Sequence, residues 1–76
     1  MRLLIYECEL HVARAFERQL GRTGGETRIV KAGEDLGAVF SEFDPTHVLA
    51  GTAAAFEQAS ALVEARGSSS RVARFR

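Results

Sequence analysis

Between positions 7 and 11 the chain reads Glu7-Cys8-Glu9-Leu10-His11, which sets two carboxylates, a thiol and an imidazole in one short span. These are metal-ligand types. Carboxylates at i and i+2 hold a magnesium ion weakly without a third, and a lone Cys–His pair falls short of the four ligands of structural zinc. The span is expected to be a solvated strand-to-helix turn, with Glu9 near the positive end of a helix dipole. Cys8 would sense redox state only if a helix N-terminus lowered its pKa, and Glu7 and Glu9 oppose thiolate formation. It is read as an inert small residue. His47 has no acidic or hydroxyl partner apparent in the sequence and is read as structural or surface-exposed. No catalytic residue, metal or cofactor is assigned.

Two further segments invite a phosphate. Gly21-Arg22-Thr23-Gly24-Gly25 lacks the Gly-Lys-Ser/Thr ending of a phosphate loop and follows a helical pattern instead of joining a strand to a helix, so it is read as a flexible turn. Ser68-Ser69-Ser70 is read as a plain loop, although a kinase phosphate there would lie near Arg66 and Arg71. Charge is uneven along the chain. All ten acidic residues fall in residues 1–64 with six of the ten basic ones, leaving that part at minus four; Arg66, Arg71, Arg74 and Arg76 restore the net charge to zero. These arginines form a small C-terminal basic patch that could contact nucleic-acid phosphates, but no recognition helix or aromatic stacking platform accompanies them.

Alternating periods predict the elements that position these residues. Leu3, Leu4, Ile5 and Tyr6 form the near-continuous apolar run of a strand covered on both faces. Val12, Phe16 and Leu20 recur every four residues as the stripe of an amphipathic helix, which Gly21 and then Gly24-Gly25 are expected to stop. Ile29 and Val30 centre a short second strand. Leu36, Val39, Phe40 and Phe43 stripe a second helix that ends before Pro45, because the residue preceding proline is biased out of the helical region. Val48, Leu49 and Ala50 make a third strand. Thr52 is placed to cap a third helix, buried through Ala55, Phe56, Ala59, Leu62 and Val63 and ended by Gly67. A fourth strand is expected over residues 71–76. Strands alternating with helices imply a parallel sheet with right-handed crossovers.

The order and spacing of five segments resemble a bacterial response-regulator receiver domain. Arg2-Leu3-Leu4-Ile5-Tyr6-Glu7-Cys8-Glu9 is similar to its first strand and acidic pair, and Val12 to Leu20 to its first helix. Thr27-Arg28-Ile29-Val30-Lys31-Ala32 stands in the place of its second strand. Gly33 to Phe40 resembles its "ADGEEALELL" stretch, and Phe43 to Gly51 its "xxPDLVLLD" stretch. The resemblance implies an α/β, flavodoxin- or receiver-like three-layer domain with a four-stranded parallel sheet, strand order 2-1-3-4, and three helices, residues 1–76 forming a single domain. It also implies a degenerate site. Receivers phosphorylate an aspartate at the end of strand three, using magnesium held by acidic residues after strand one. Here Glu7 and Cys8 hold the acidic-pair positions, and Gly51, with no side chain, replaces the nucleophile.

The family continues with a helix, a fifth strand and a closing helix where this chain ends, so a shortened domain is expected. Apolar sheet surface beside the first helix should then be uncovered, and strand four should be an edge. A chain of 76 residues buries only about 60% of its unfolded surface, so a partner or self-interface is expected. The implied function is a non-enzymatic regulatory or scaffolding module acting through self-association, as a symmetric dimer, or through a protein partner. Phe16, Leu20, Val72, Arg74 and Phe75 are the candidate interface residues. The alternative is a small nucleic-acid-binding accessory protein that uses the C-terminal arginines. No small-molecule substrate is expected. No apolar stretch reaches the roughly 20 residues of a membrane helix, and Glu7 and Glu9 interrupt the N-terminal apolar run, so no signal peptide is expected. With one cysteine and no disulfide, a cytoplasmic location follows.

Overall fold

The alternating periods of the sequence become seven elements: β1 (Arg2–Tyr6), α1 (Leu10–Arg22), β2 (Glu26–Val30), α2 (Leu36–Phe43), β3 (His47–Ala50), α3 (Ala53–Ala65) and β4 (Arg71–Arg74). The structure is a computed structural model that describes residues 1–75. The strands form one four-stranded sheet in the order β2-β1-β3-β4, with each neighbouring pair parallel. This is the expected strand order, with the expected three helices. Among the described residues, no helix is long and apolar enough to cross a membrane.

Strand β1 sits between β2 and β3, and its Leu3, Leu4 and Ile5 are all buried. Alternation of side chains then divides the core into two layers. On one face Leu4, Val30 and Val48 pack against Val39 and Phe40 of α2 and Ala59 of α3. On the other, Leu3, Ile5 and Leu49 pack against Ala13 of α1. The sheet therefore has one helix on one face and two on the other.

Local chemistry sets the helix ends, with two departures from the sequence pattern. Helix α1 passes through Gly21 and ends at Arg22, because a helical glycine costs only about 1 kcal/mol relative to alanine and is no stop by itself. The left-handed backbone comes later, at Gly24 with φ of 80°. Helix α2 does end before Pro45, but Asp44 leaves the helix through a left-handed conformation, φ 51° and ψ 65°, and donates its N–H to the Phe40 carbonyl. A C-terminal left-handed cap outweighs the extended preference of a pre-proline residue here. Strand β2 starts at Glu26 and ends at Val30, so Lys31 and Ala32 lie outside it. Strand β4 ends at Arg74, although the Phe75 N–H still reaches the Ala50 carbonyl at 2.8 Å. Arg76, expected in that strand and in the basic patch, lies outside the described residues.

Candidate functional site

The carboxyl ends of β1 and β3 bring Glu7, Cys8 and Gly51 together. Glycine is required there by space. A Cβ at position 51 would overlap the Glu7 carbonyl oxygen and stand 2.7 Å from the Cys8 Cα. The β1–α1 loop thus occupies the room a side chain would need. The Gly51 N–H donates to the Tyr6 carbonyl at 3.0 Å, which holds the end of β3 against the start of that loop. Glu7 makes the turn with a positive φ of 55°, a left-handed conformation uncommon for a residue with a Cβ.

The polar groups of this corner are turned to structural use. Thr52 caps α3 by accepting the Ala55 N–H at 3.0 Å, and its hydroxyl donates to Glu7 Oε2 at 3.3 Å. Glu9 is the residue preceding α1 and pairs with His11 across 3.3 Å, both side chains being exposed. Burial pushes the Cys8 thiol above its ordinary pKa, which favours the less nucleophilic protonated form. Glu7 is bonded to Thr52 through one carboxylate oxygen, and Glu9 lies beside His11. Among the described residues no group of three or more His, Cys, Asp and Glu side chains could hold a metal.

His47 requires a correction, because it does have a hydroxyl partner. Thr46 Oγ1 lies 2.8 Å from His47 Nδ1 and accepts the Arg2 N–H at 3.0 Å. The partner is the preceding residue, so the signal was present in the sequence. The contact ties the start of β3 to β1. Arg2, not singled out by the sequence, lies 4.4 Å from the centre of the Phe43 ring and pairs with Glu26 at 2.9 Å. The triple serine is also anchored: Ser70 Oγ donates to the Pro45 carbonyl, and the Ser70 N–H donates to Ser68 Oγ at 3.1 Å.

The candidate interface residues separate by face. Phe16 and Leu20 of α1 line an open apolar groove of about 210 Å³ with Leu3, Leu49 and Ala73 beneath them. Phe75 meets Phe16 edge-to-face, ring centres 5.9 Å apart. Val72 instead packs into the opposite layer, under α2 and α3. Arg74 lies on that side too, beside Phe56 and Glu57. The groove bears on the α1 side of β3 and β4, where α1 does not reach.

Among the described residues, Arg66, Arg71 and Arg74 do not gather into one surface. Arg66 stacks 5.5 Å over the Phe40 ring and bonds to Ser41 Oγ, while Arg71 lines the groove and Arg74 faces the other way. Alternation along a strand separates residues three apart. Comparison with family models, with curated proteins and with solved structures finds no match.

Proposed function

We propose that this chain is a non-enzymatic regulatory or scaffolding module, comparable to a receiver that cannot be phosphorylated, whose output is association with itself or with a protein partner. The carrying observation is the steric closure at Gly51. A missing nucleophile alone would leave a corner that one substitution could restore, but here the Glu7 and Cys8 backbone fills the acceptor's position. Loss of chemistry is then built into the loop as well as the side chain. The open groove beside Phe16 and Leu20 supports the second half of the reading, since apolar surface of this kind favours association. A cytoplasmic signalling role in a bacterium belongs to the same proposal; the single cysteine, which can form no disulfide within the chain, favours a reducing compartment.

The test is incubation with acetyl phosphate and magnesium followed by intact-mass measurement. No phosphoryl adduct is expected, from the parent chain or from Gly51→Asp; a stoichiometric adduct on the parent would overturn the reading. The nucleic-acid alternative has less support, because Arg71 and Arg74 face opposite sides of the sheet. A mobility shift that persists near physiological salt, and is lost on Arg74→Ala plus Arg76→Ala, would favour it instead.

A further inference from the structure

The geometry points to the outer edge of β4 as the docking place for an extended acidic segment of a protein partner, added to the sheet as a fifth strand with its apolar side chains in the groove. This rests on the interaction-module reading and names the partner's chemistry. Three observations carry it.

The first is the ladder. The Arg71 and Phe75 N–H groups point inward, to the Thr46 and Ala50 carbonyls at 3.0 and 2.8 Å. In a parallel ladder alternate residues bond to opposite neighbours, so the N–H and C=O groups of Val72 and Arg74 face away from β3. They are the groups an added strand would use.

The second is shape. The groove lies over β3 and β4, floored by Leu3, Leu49 and the small side chain of Ala73 and walled by Phe16 and Leu20, and it reaches the edge strand at Arg71 and Ala73. A strand laid along the edge would turn alternate side chains to this face. Apolar ones fit it.

The third is charge. Arg71 and Arg74 are exposed, lie on opposite faces of the edge strand, and take part in no ion pair among the described residues. An incoming strand therefore meets a guanidinium on either face. Acidic residues are favoured there and basic ones opposed. A second copy of the chain fits the edge poorly. Two copies pairing antiparallel must keep like faces together, which centres the junction on Val72 or on Ala73. The first arrangement sets the two Arg71 side chains on a diagonal across the junction, and the second does so with the two Arg74 side chains.

The probe is a fluorescein-labelled, acetylated heptapeptide alternating Glu and Val, titrated against the 76-residue chain at low ionic strength. Its Lys–Val counterpart and an N-methylated Glu–Val version serve as controls. The Glu–Val peptide is expected to bind at least about tenfold more tightly than the Lys–Val peptide, since rim ion pairs change sign between them. Arg74→Glu, an exposed change that should leave the circular dichroism spectrum intact, should abolish or reverse that preference. N-methylation should remove binding. In amide NMR the Val72 and Arg74 N–H groups should gain protection from exchange on titration. Absence of Glu–Val binding, equal binding of the two charge types, or shifts centred away from Val72 and Arg74 would overturn the inference. So would a dimer whose edge amides are protected before peptide is added. Acetyl phosphate treatment of the same preparation separates the two failures: an adduct breaks the proposed function, whereas lost peptide discrimination without an adduct breaks only the docking assignment.

Discussion

On the side of α2 and α3 the sheet presents Leu4, Val30 and Val48 to the large side chains Val39 and Phe40 and to Ala59, while on the opposite side α1 meets Leu3, Ile5 and Leu49 through Ala13. Two helices close the first face over three strands and take in Val72 from the fourth. One helix covers the second face and buries only Ala13 fully; Phe16 and Leu20 pack half-buried against the same layer and leave a groove over β3 and β4. The open face is itself uneven. At the carboxyl ends of the strands the β1–α1 loop backbone excludes a Cβ at position 51, although an open cavity of about 460 Å³ lies beside it, and toward the amino ends the apolar groove opens. Stability should therefore be concentrated under α2 and α3, and the capacity to bind on the α1 side.

Matched truncations test that division most severely. Phe40 is only 5% exposed and also supports the Arg66 guanidinium, so Phe40→Ala should cost about 3–5 kcal/mol. That is a large share of the roughly 5–15 kcal/mol available to an ordinary domain, and the variant should be largely unfolded on warming. Leu20→Ala removes a half-buried side chain from the groove wall and should cost about 1 kcal/mol. Urea unfolding followed by circular dichroism measures both. Equal costs would mean that the α1 face carries as much of the core as the other.

Substitution at Gly51 tests whether the β1–α1 loop is fixed against the end of β3. Its Cβ must displace the β1–α1 loop, including a Glu7 already in a left-handed conformation, so Gly51→Ala should destabilise by about 1–3 kcal/mol. A neutral result in the same urea titration would show that the loop moves aside freely, and the closed corner would lose its standing as a built feature.

These two faces were unequally legible in the sequence. The strand order, the three helices and the Thr52 cap follow from periodicity and capping chemistry, because Leu3-Leu4-Ile5 and the Leu36, Val39, Phe40 stripe carry strong local signals. The juxtaposition of Glu7, Cys8 and Gly51 was legible only through the receiver resemblance, which sets these positions at the carboxyl ends of its first and third strands. The reason for glycine at position 51 was not. It depends on a contact between residues more than forty positions apart, and on the unexpected backbone of Glu7. A stripe read from large apolar residues overlooks Ala13, the fully buried residue of α1, and grouping Val72 and Arg74 with Phe75 overlooks the strand alternation that sends them to the other side.

Capping separates the faces as well. Thr52 caps α3, and Asp35 caps α2 by accepting the Gly37 N–H at 3.3 Å, whereas Glu9 gives α1 no side-chain cap bond. Thr52→Ala should cost about 1 kcal/mol, and it also frees the Glu7 carboxylate. Glu9→Ala should leave the unfolding midpoint close to the parent's, so a comparable loss at both positions would erase this distinction between the helices.

The smallest effect concerns the arginines at the two edges. Arg28 of β2 is matched by Glu34 at 2.8 Å, while Arg71 of β4 faces the groove without an ion pair among the described residues. The Arg28 hydrogen bond, and then the Lys31 N–H at 2.7 Å, hold the Glu34 carboxyl below its ordinary pKa. A depressed folded-state value means that the carboxylate stabilises the fold at neutral pH, and that this contribution is lost as the pH falls through the folded value. Glu34→Gln should therefore lower stability slightly at neutral pH and converge with the parent below the ordinary glutamate range, whereas Arg71→Gln should track the parent throughout. Urea midpoints measured over a series of acid pH values would show it. If Glu34→Gln instead paralleled the parent at every pH, the β2 edge would be no better secured than that of β4, and the asymmetry between the edges would rest on the groove alone.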